Sequence, residues 1–158
     1  MAVIDILAMK AALAPGGRLF GLDIGSKTIG IAISDSALKV ASPLTVLPRV
    51  KFAGDMAKLK GLIAERRVGG LVLGLPIGLD GREGPRSQSV RQFAANLLAV
   101  IDLPLAFWDE RFSTLGAERP MKEAEMSHRR RGELIDKLAA AYILQGALDR
   151  IAASDPAA

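Results

Sequence analysis

The chain has no cysteine, and its 158 residues include one histidine, His128. Without cysteine there is no disulfide framework, zinc finger, thiolate metal site or cysteine nucleophile. One histidine cannot build a multi-histidine metal site within one chain. No run reaches the ~18 uninterrupted apolar residues of a membrane helix. The stretch from Met1 to Ala14 is apolar, but Asp5 and Lys10 interrupt it and it lacks a basic start, which argues against a secretory signal. A cytoplasmic protein in a reducing compartment, with no membrane partner, is expected.

Hydrophobic residues make up 50% of the chain and charged residues 24%, which excludes a disordered polypeptide. One domain is the natural expectation at this length, with ~68–70% of the unfolded surface buried on folding. The 21 basic and 17 acidic side chains give a net charge of +4, which permits a polyanionic partner without establishing one.

Residues 3–13 carry a weak helical stripe that Pro15-Gly16-Gly17 ends, so 1–17 reads as an N-terminal extension. The domain is expected over 18–152, and a disordered tail over 153–158. Leu19–Ile24 and Thr28–Ser34 are strands joined by a turn at Gly25-Ser26-Lys27, and Val40–Leu47 is a third strand with an edge-type Pro43. Phe52, Met56, Leu59, Leu62 and Ile63 fall at helical spacing, so 52–66 is a helix that Gly69-Gly70 closes. Leu71–Leu75 is a strand buried on both faces, and Leu105–Asp109 a second. A helix bearing Val90, Phe93, Leu97, Leu98 and Ile101 lies between them. A short helix starts near Thr114, with Ser113-Thr114 as its cap. The run His128-Arg129-Arg130-Arg131-Gly132 reads as a basic loop before a last helix from Glu133 to Ile151. Antiparallel strands followed by βα units give a mixed five-stranded α/β sheet flanked by helices.

Three acids stand out against this frame. In the first strand Gly21, Asp23 and Gly25 share one face, and in the second Gly30, Ala32 and Ser34 do. Both strands thus have a bulky face and a bare one, with Asp23 on the bare side. Such a face admits either a ligand close to the backbone or a closely packed helix. Asp136 shares a helical stripe with Ala140, Ile143 and Ala147, so it points along the packed face, where an unpaired carboxylate is costly. Asp109-Glu110-Arg111 ends a buried strand, where open α/β sheets bind ligands, and periodicity does not choose between the two acids. Converging carboxylates repel each other, and a hard divalent cation such as Mg²⁺ or Mn²⁺ relieves that repulsion through oxygen ligands.

The block Gly21-Leu22-Asp23-Ile24-Gly25-Ser26-Lys27-Thr28-Ile29-Gly30-Ile31-Ala32-Ile33-Ser34-Asp35 resembles the opening motif of the YqgF family of Holliday-junction-resolvase-like proteins. Leu73-Gly74-Leu75-Pro76 with Asp80-Gly81, then Asp109-Glu110-Arg111-Phe112-Ser113-Thr114, then Asp136 with Ala139-Ala140 and Ile143-Leu144-Gln145 resemble its other three motifs, in family order. The resemblance spans about 18–148. It implies a ribonuclease-H-like fold and metal-dependent phosphodiester hydrolysis, with Asp23, Glu110 and Asp136 as catalytic and metal-binding residues and Asp109 as the reserve ligand. It also implies processing of pre-16S ribosomal RNA, with nucleic acid and the ribosome as partners.

Lys27, Arg111, Arg129, Arg130 and Arg131 are candidate phosphate contacts, and Arg82, Arg86 and Arg91 flank the loop after the second motif as solvated residues or contacts. His128 reads as a surface residue and Trp108 as core. Three rival functions stay open: a DNA junction resolvase, which needs a homodimer where end-trimming needs only a monomer; a phosphotransferase, since Asp-x-Gly-Ser-Lys also resembles an actin-like phosphate loop; and a non-catalytic RNA-binding module.

Overall fold

A computed structural model describes residues 3–78, 80–112 and 128–154. The sheet comprises β1 (Arg18–Ile24), β2 (Thr28–Ser34), β3 (Ala41–Pro48), β4 (Val68–Leu75) and β5 (Leu105–Asp109). Their spatial order is β3-β2-β1-β4-β5, with β1–β2 and β2–β3 antiparallel and β1–β4 and β4–β5 parallel. This is the mixed five-stranded α/β sheet expected of a ribonuclease-H-like fold. The helices are α1 (Met9–Ala12), α2 (Phe52–Arg66), α3 (Pro85–Leu98) and α4 (His128–Ser154). None of the described helices is long and apolar enough to cross a membrane.

Strand alternation sorts the side chains to two faces. Phe20, Leu22, Ile29, Ile31, Leu71 and Leu73 are fully buried in one cluster, with Met56 and Leu59 of α2 and Phe93 and Leu97 of α3. Leu19, Ala32, Val72 and Ala106 turn to the other face and meet Ala140, Ile143, Leu144, Ala147 and Leu148 of α4. The N-terminal segment joins this second cluster through fully buried Met9. Ile4 N donates to Leu105 O at 2.8 Å, so the segment adds a short parallel bridge beside β5. The extension is therefore packed onto the domain.

Two expected boundaries move. Gly69-Gly70 belongs to β4 and does not close α2; Arg67, in left-handed conformation at φ 55°, makes that turn instead. The His128–Gly132 run is not a loop but opens α4, which begins at His128 and runs to Ser154. Arginine is a good helix former, and one glycine in a long helix is tolerated. The helix and cap expected near Ser113-Thr114 lie outside the described residues, as do 155–158 of the expected tail, whereas Ala153 and Ser154 of that tail are helical and end α4.

Candidate active site

Asp23 lies near the carboxyl end of β1 and is half-buried among the apolar residues around it. It pairs across the sheet with Gly30 of β2. On the other side Leu22 is in register with Leu73 of β4, so Gly74 stands beside Asp23 one step further on. These two glycines decide the geometry. A Cβ on Gly30 would collide with the backbone carbonyl of Asp136, and one on Gly74 would come within 2.5 Å of Glu110 Oε1. Each glycine flanking Asp23 thus vacates the space through which another acid approaches. The bare face is bare because α4 and the Glu110 side chain press onto it, so close helix packing is the outcome there.

Glu110 opens a 3-10 turn, Glu110–Phe112, directly after β5. It is half-buried and hydrogen-bonded to Asp23. Burial, then the Asp23 charge and the hydrogen bond it donates, push its pKa up from 4.5 to about 7, while Arg86 pulls the other way. Asp23 is also raised, first by burial and further by the charge of Asp136, against the Glu110 hydrogen bond and Arg86. Two adjacent carboxyls with raised pKa values share a proton when no cation is present. Asp136 is placed on α4 with Oδ2 accepting a hydrogen bond from Thr28 Oγ1 at 3.0 Å. Among the described residues no three Asp, Glu or His side chains are grouped closely enough to hold one ion as they stand. Asp23 and Glu110 form a pair, and Asp136 stands by, engaged with Thr28.

Asp109 faces elsewhere. Its carboxylate takes Arg111 Nε at 2.8 Å and Nη2 at 2.6 Å, and although burial opposes it, these bonds hold its pKa below the usual range. Of the two acids, Glu110 is the one beside Asp23, because the 3-10 turn swings it toward Gly74. Arg111 is correspondingly occupied by Asp109, with Asp80 also near it. Lys27 is exposed at the β1–β2 turn. Arg129, Arg130 and Arg131 form the first turn of α4, and their side chains lie outside the described residues. The Asp80-Gly81 turn forms as expected, with Gly81 at φ +83°. Trp108 is half-buried, its indole lying against Gly146 of α4, a core position.

Two residues near the acids were not singled out for this role by the sequence. Thr28, the first residue of β2, holds Asp136. Arg86, at the second position of α3, is the only cation whose charge acts on both Asp23 and Glu110 among the described residues. The available signal for Arg86 was Gly84-Pro85, which marks a helix start and so places the next side chain at its mouth.

A family model described as RuvX, Holliday junction resolvase, matches residues 17–150, which covers every strand and all three acids. The chain belongs to the RuvX family. The resemblance read from the four motifs is thereby borne out. A RuvX relative from Roseobacter denitrificans is 57% identical over 149 residues, covering 93% of this chain and 91% of its own length. Another, from Cereibacter sphaeroides, is 56% identical over 141 residues, covering 89% and 88%. Both bear the name "Putative pre-16S rRNA nuclease". Among solved structures, T. thermophilus RuvC in complex with Holliday junction substrate covers 86% of this RuvX chain and 96% of its own, at 14% identity and a TM-score of 0.48.

Proposed function

We propose that this chain is a metal-dependent endonuclease that hydrolyses phosphodiester bonds in nucleic acid, with a precursor of 16S ribosomal RNA as its substrate. The observation that carries the reading is the Asp23–Glu110 pair with Asp136 beside it on the glycine-lined face. Carboxylates crowded until their acidity falls have no structural use here, since β1 would be more stable with an apolar residue. The crowding is what a divalent cation relieves. The names borne by the relatives support the substrate, and the cytoplasm is where ribosomal precursors are met.

The donor set is all oxygen and suits Mg²⁺ or Mn²⁺. Asp23, Glu110 and Asp136 would hold it, whereas Asp109 is committed to Arg111. A bound ion supplies an activated water and neutralises the leaving oxygen. The protein's own part is to lose the shared proton, which turns Asp23 and Glu110 into full ligands. Asp136, whose carboxylate Thr28 holds without metal, would be the third ligand. Arg86, with Lys27 and the Arg129–Arg131 turn, draws in the phosphate backbone.

The test offers parent and Asp23→Asn proteins two substrates with Mg²⁺ or Mn²⁺: an RNA carrying the unprocessed end of 16S, and a four-way DNA junction. Cleavage of the RNA by the parent alone is expected. A folded Asp23→Asn protein that cuts as fast as the parent overturns the assignment of the acids. Cleavage of the junction in place of the RNA moves the substrate to DNA, the activity that the family description names. RNA binding that survives Asp23→Asn, with no cleavage at any metal concentration, leaves a non-catalytic module.

A further inference from the structure

Beside the acids lies a basic cleft of about 190 Å³, between the β1–β2 turn, the residue after β3 and the first turns of α3. Its polar lining is Ser26, Arg49, Arg86 and Ser89, with Ile24 and Val90 as apolar wall. Among the described residues no carboxylate lines it. Ile24, next to Asp23 in the chain, turns to the opposite face, so the cleft meets the acid pair at the carboxyl end of β1, where Arg86 lines the cleft and lies close enough to both acids to act on them.

Arg49 is held in place on three sides. Its Nη1 donates to Gly25 O at 2.6 Å, its backbone N donates to Lys27 O at 2.8 Å, and its guanidinium carbon lies 5.1 Å from the centroid of the Phe93 ring. Phe93 is itself set by an edge-to-face contact with Phe52 at 6.0 Å. A guanidinium has five N–H donors, and the Gly25 bond occupies one of them. A pre-positioned fork of this kind loses little side-chain freedom on binding an oxyanion. A second cation and two hydroxyls able to donate complete a lining that suits phosphate oxygens.

We infer that this cleft seats a backbone phosphate of the bound strand, next along from the phosphate presented to the acids, and so fixes the strand's register on the site. The inference rests on the reading of the substrate as nucleic acid and adds to it a second point of attachment. The cleft is outside the acid cluster, so it binds the strand without a metal.

Anisotropy of a labelled twelve-nucleotide single-stranded RNA in EDTA tests it, since nothing is cut there. Arg49→Gln and Ser89→Glu act on the cleft, and Ala152→Glu, exposed on α4 across the sheet, controls for an added negative charge. Each cleft variant should weaken binding roughly tenfold. Arg49→Gln should also reduce the slope of log affinity against log salt by about 0.7, one contact on a single strand. Ala152→Glu should leave affinity near the parent's. Because Arg49→Gln could loosen the turn, Ser89→Glu decides: if it binds RNA as Ala152→Glu does, the cleft is not a strand seat. Inorganic phosphate that competes with RNA for the parent supports the chemistry. Phosphate that shifts the Ser26 and Ser89 amides while Ser89→Glu leaves RNA affinity intact shows a free-phosphate site and overturns the strand assignment. A parent that binds through the cleft yet cuts neither substrate removes the nuclease and spares the cleft. A parent that cuts, with Ser89→Glu binding and cutting equally well, does the reverse.

Discussion

Toward α2 and α3 the sheet presents Phe20, Leu22, Ile29, Ile31, Leu71 and Leu73, all fully buried, while toward α4 the same strands present Gly21, Gly30, Ala32, Val72 and Gly74. The first face is filled by large side chains, each contributing about 1.5–3 kcal/mol by leaving water. On the second, Ile143, Leu144 and Leu148 of α4 fill the core between Ala140 and Ala147, and where Gly21 and Gly30 stand the helix backbone itself comes against the strands, so α4 rides close to the sheet. That closeness carries Asp136 to Asp23, which a spacer of leucines would prevent. One face thus supplies the stability that the other gives up by gathering acids.

The largest effect should come from Asp23→Asn. Cleavage should fall by about a thousandfold or more, since loss of the metal forfeits several kcal/mol of transition-state stabilisation. At neutral pH and without metal the same variant should melt higher than the parent, because it removes a buried charge held against its neighbours. Activity and melting temperature moving in the same direction would contradict the division of labour. Next is Phe20→Ala on the opposite face, expected to cost about 3–5 kcal/mol in denaturant unfolding, with metal-dependent activity surviving in the fraction that stays folded. Gly30→Ala should cost less stability, about 1–3 kcal/mol as overpacking. It should nonetheless lose more activity than Phe20→Ala, because the new methyl meets the backbone of Asp136 and that backbone cannot yield cheaply.

The pH dependence separates the two faces without mutation. Glu110 has a folded pKa of about 7 against 4.5, so the folded state binds more protons than the unfolded chain between these values. The contribution of Glu110 to metal-free stability should therefore be fully present below 4.5 and be lost as pH rises through about 7. Mg²⁺ should raise the melting temperature most above that point; a melting temperature that stays level from pH 5 to 8 in EDTA would count against the shared proton. Smallest is Asp109→Asn. Its partly exposed pair with Arg111 should be worth about 0.2–1 kcal/mol, with activity near the parent's if Glu110 is the ligand.

Much of this arrangement was legible in the residues. Alternation of Gly21, Asp23, Gly30 and Ala32 against Phe20, Leu22, Ile29 and Ile31 is a local pattern, and a strand pair has no other way to arrange it. What approaches the bare side is not local, since the answer, Asp136, lies 113 positions after Asp23 in the chain; hence ligand and helix stood level until the fold was seen. Asp109 and Glu110 were inseparable because a period of two holds only while the strand lasts, and β5 ends between them in a 3-10 turn. The start of α4 was misread for the opposite reason. A run of arginines shows no apolar periodicity, yet arginine is a good helix former and the helix needs no periodicity to form there. Arg86 carries no pattern at all, and its role comes from where α3 begins.

The hydrogen bond between Thr28 and Asp136 has a consequence in time as well as space. Chain synthesis delivers Asp23 first, Glu110 late and Asp136 later still. A partly made chain holds two of the acids on a sheet whose α4 face is uncovered, and its Thr28 hydroxyl has no carboxylate to hold. On the function proposed here, cutting power arrives only when the last helix has been made and has docked. The acid set is thus completed by the last element of the fold, not by its first.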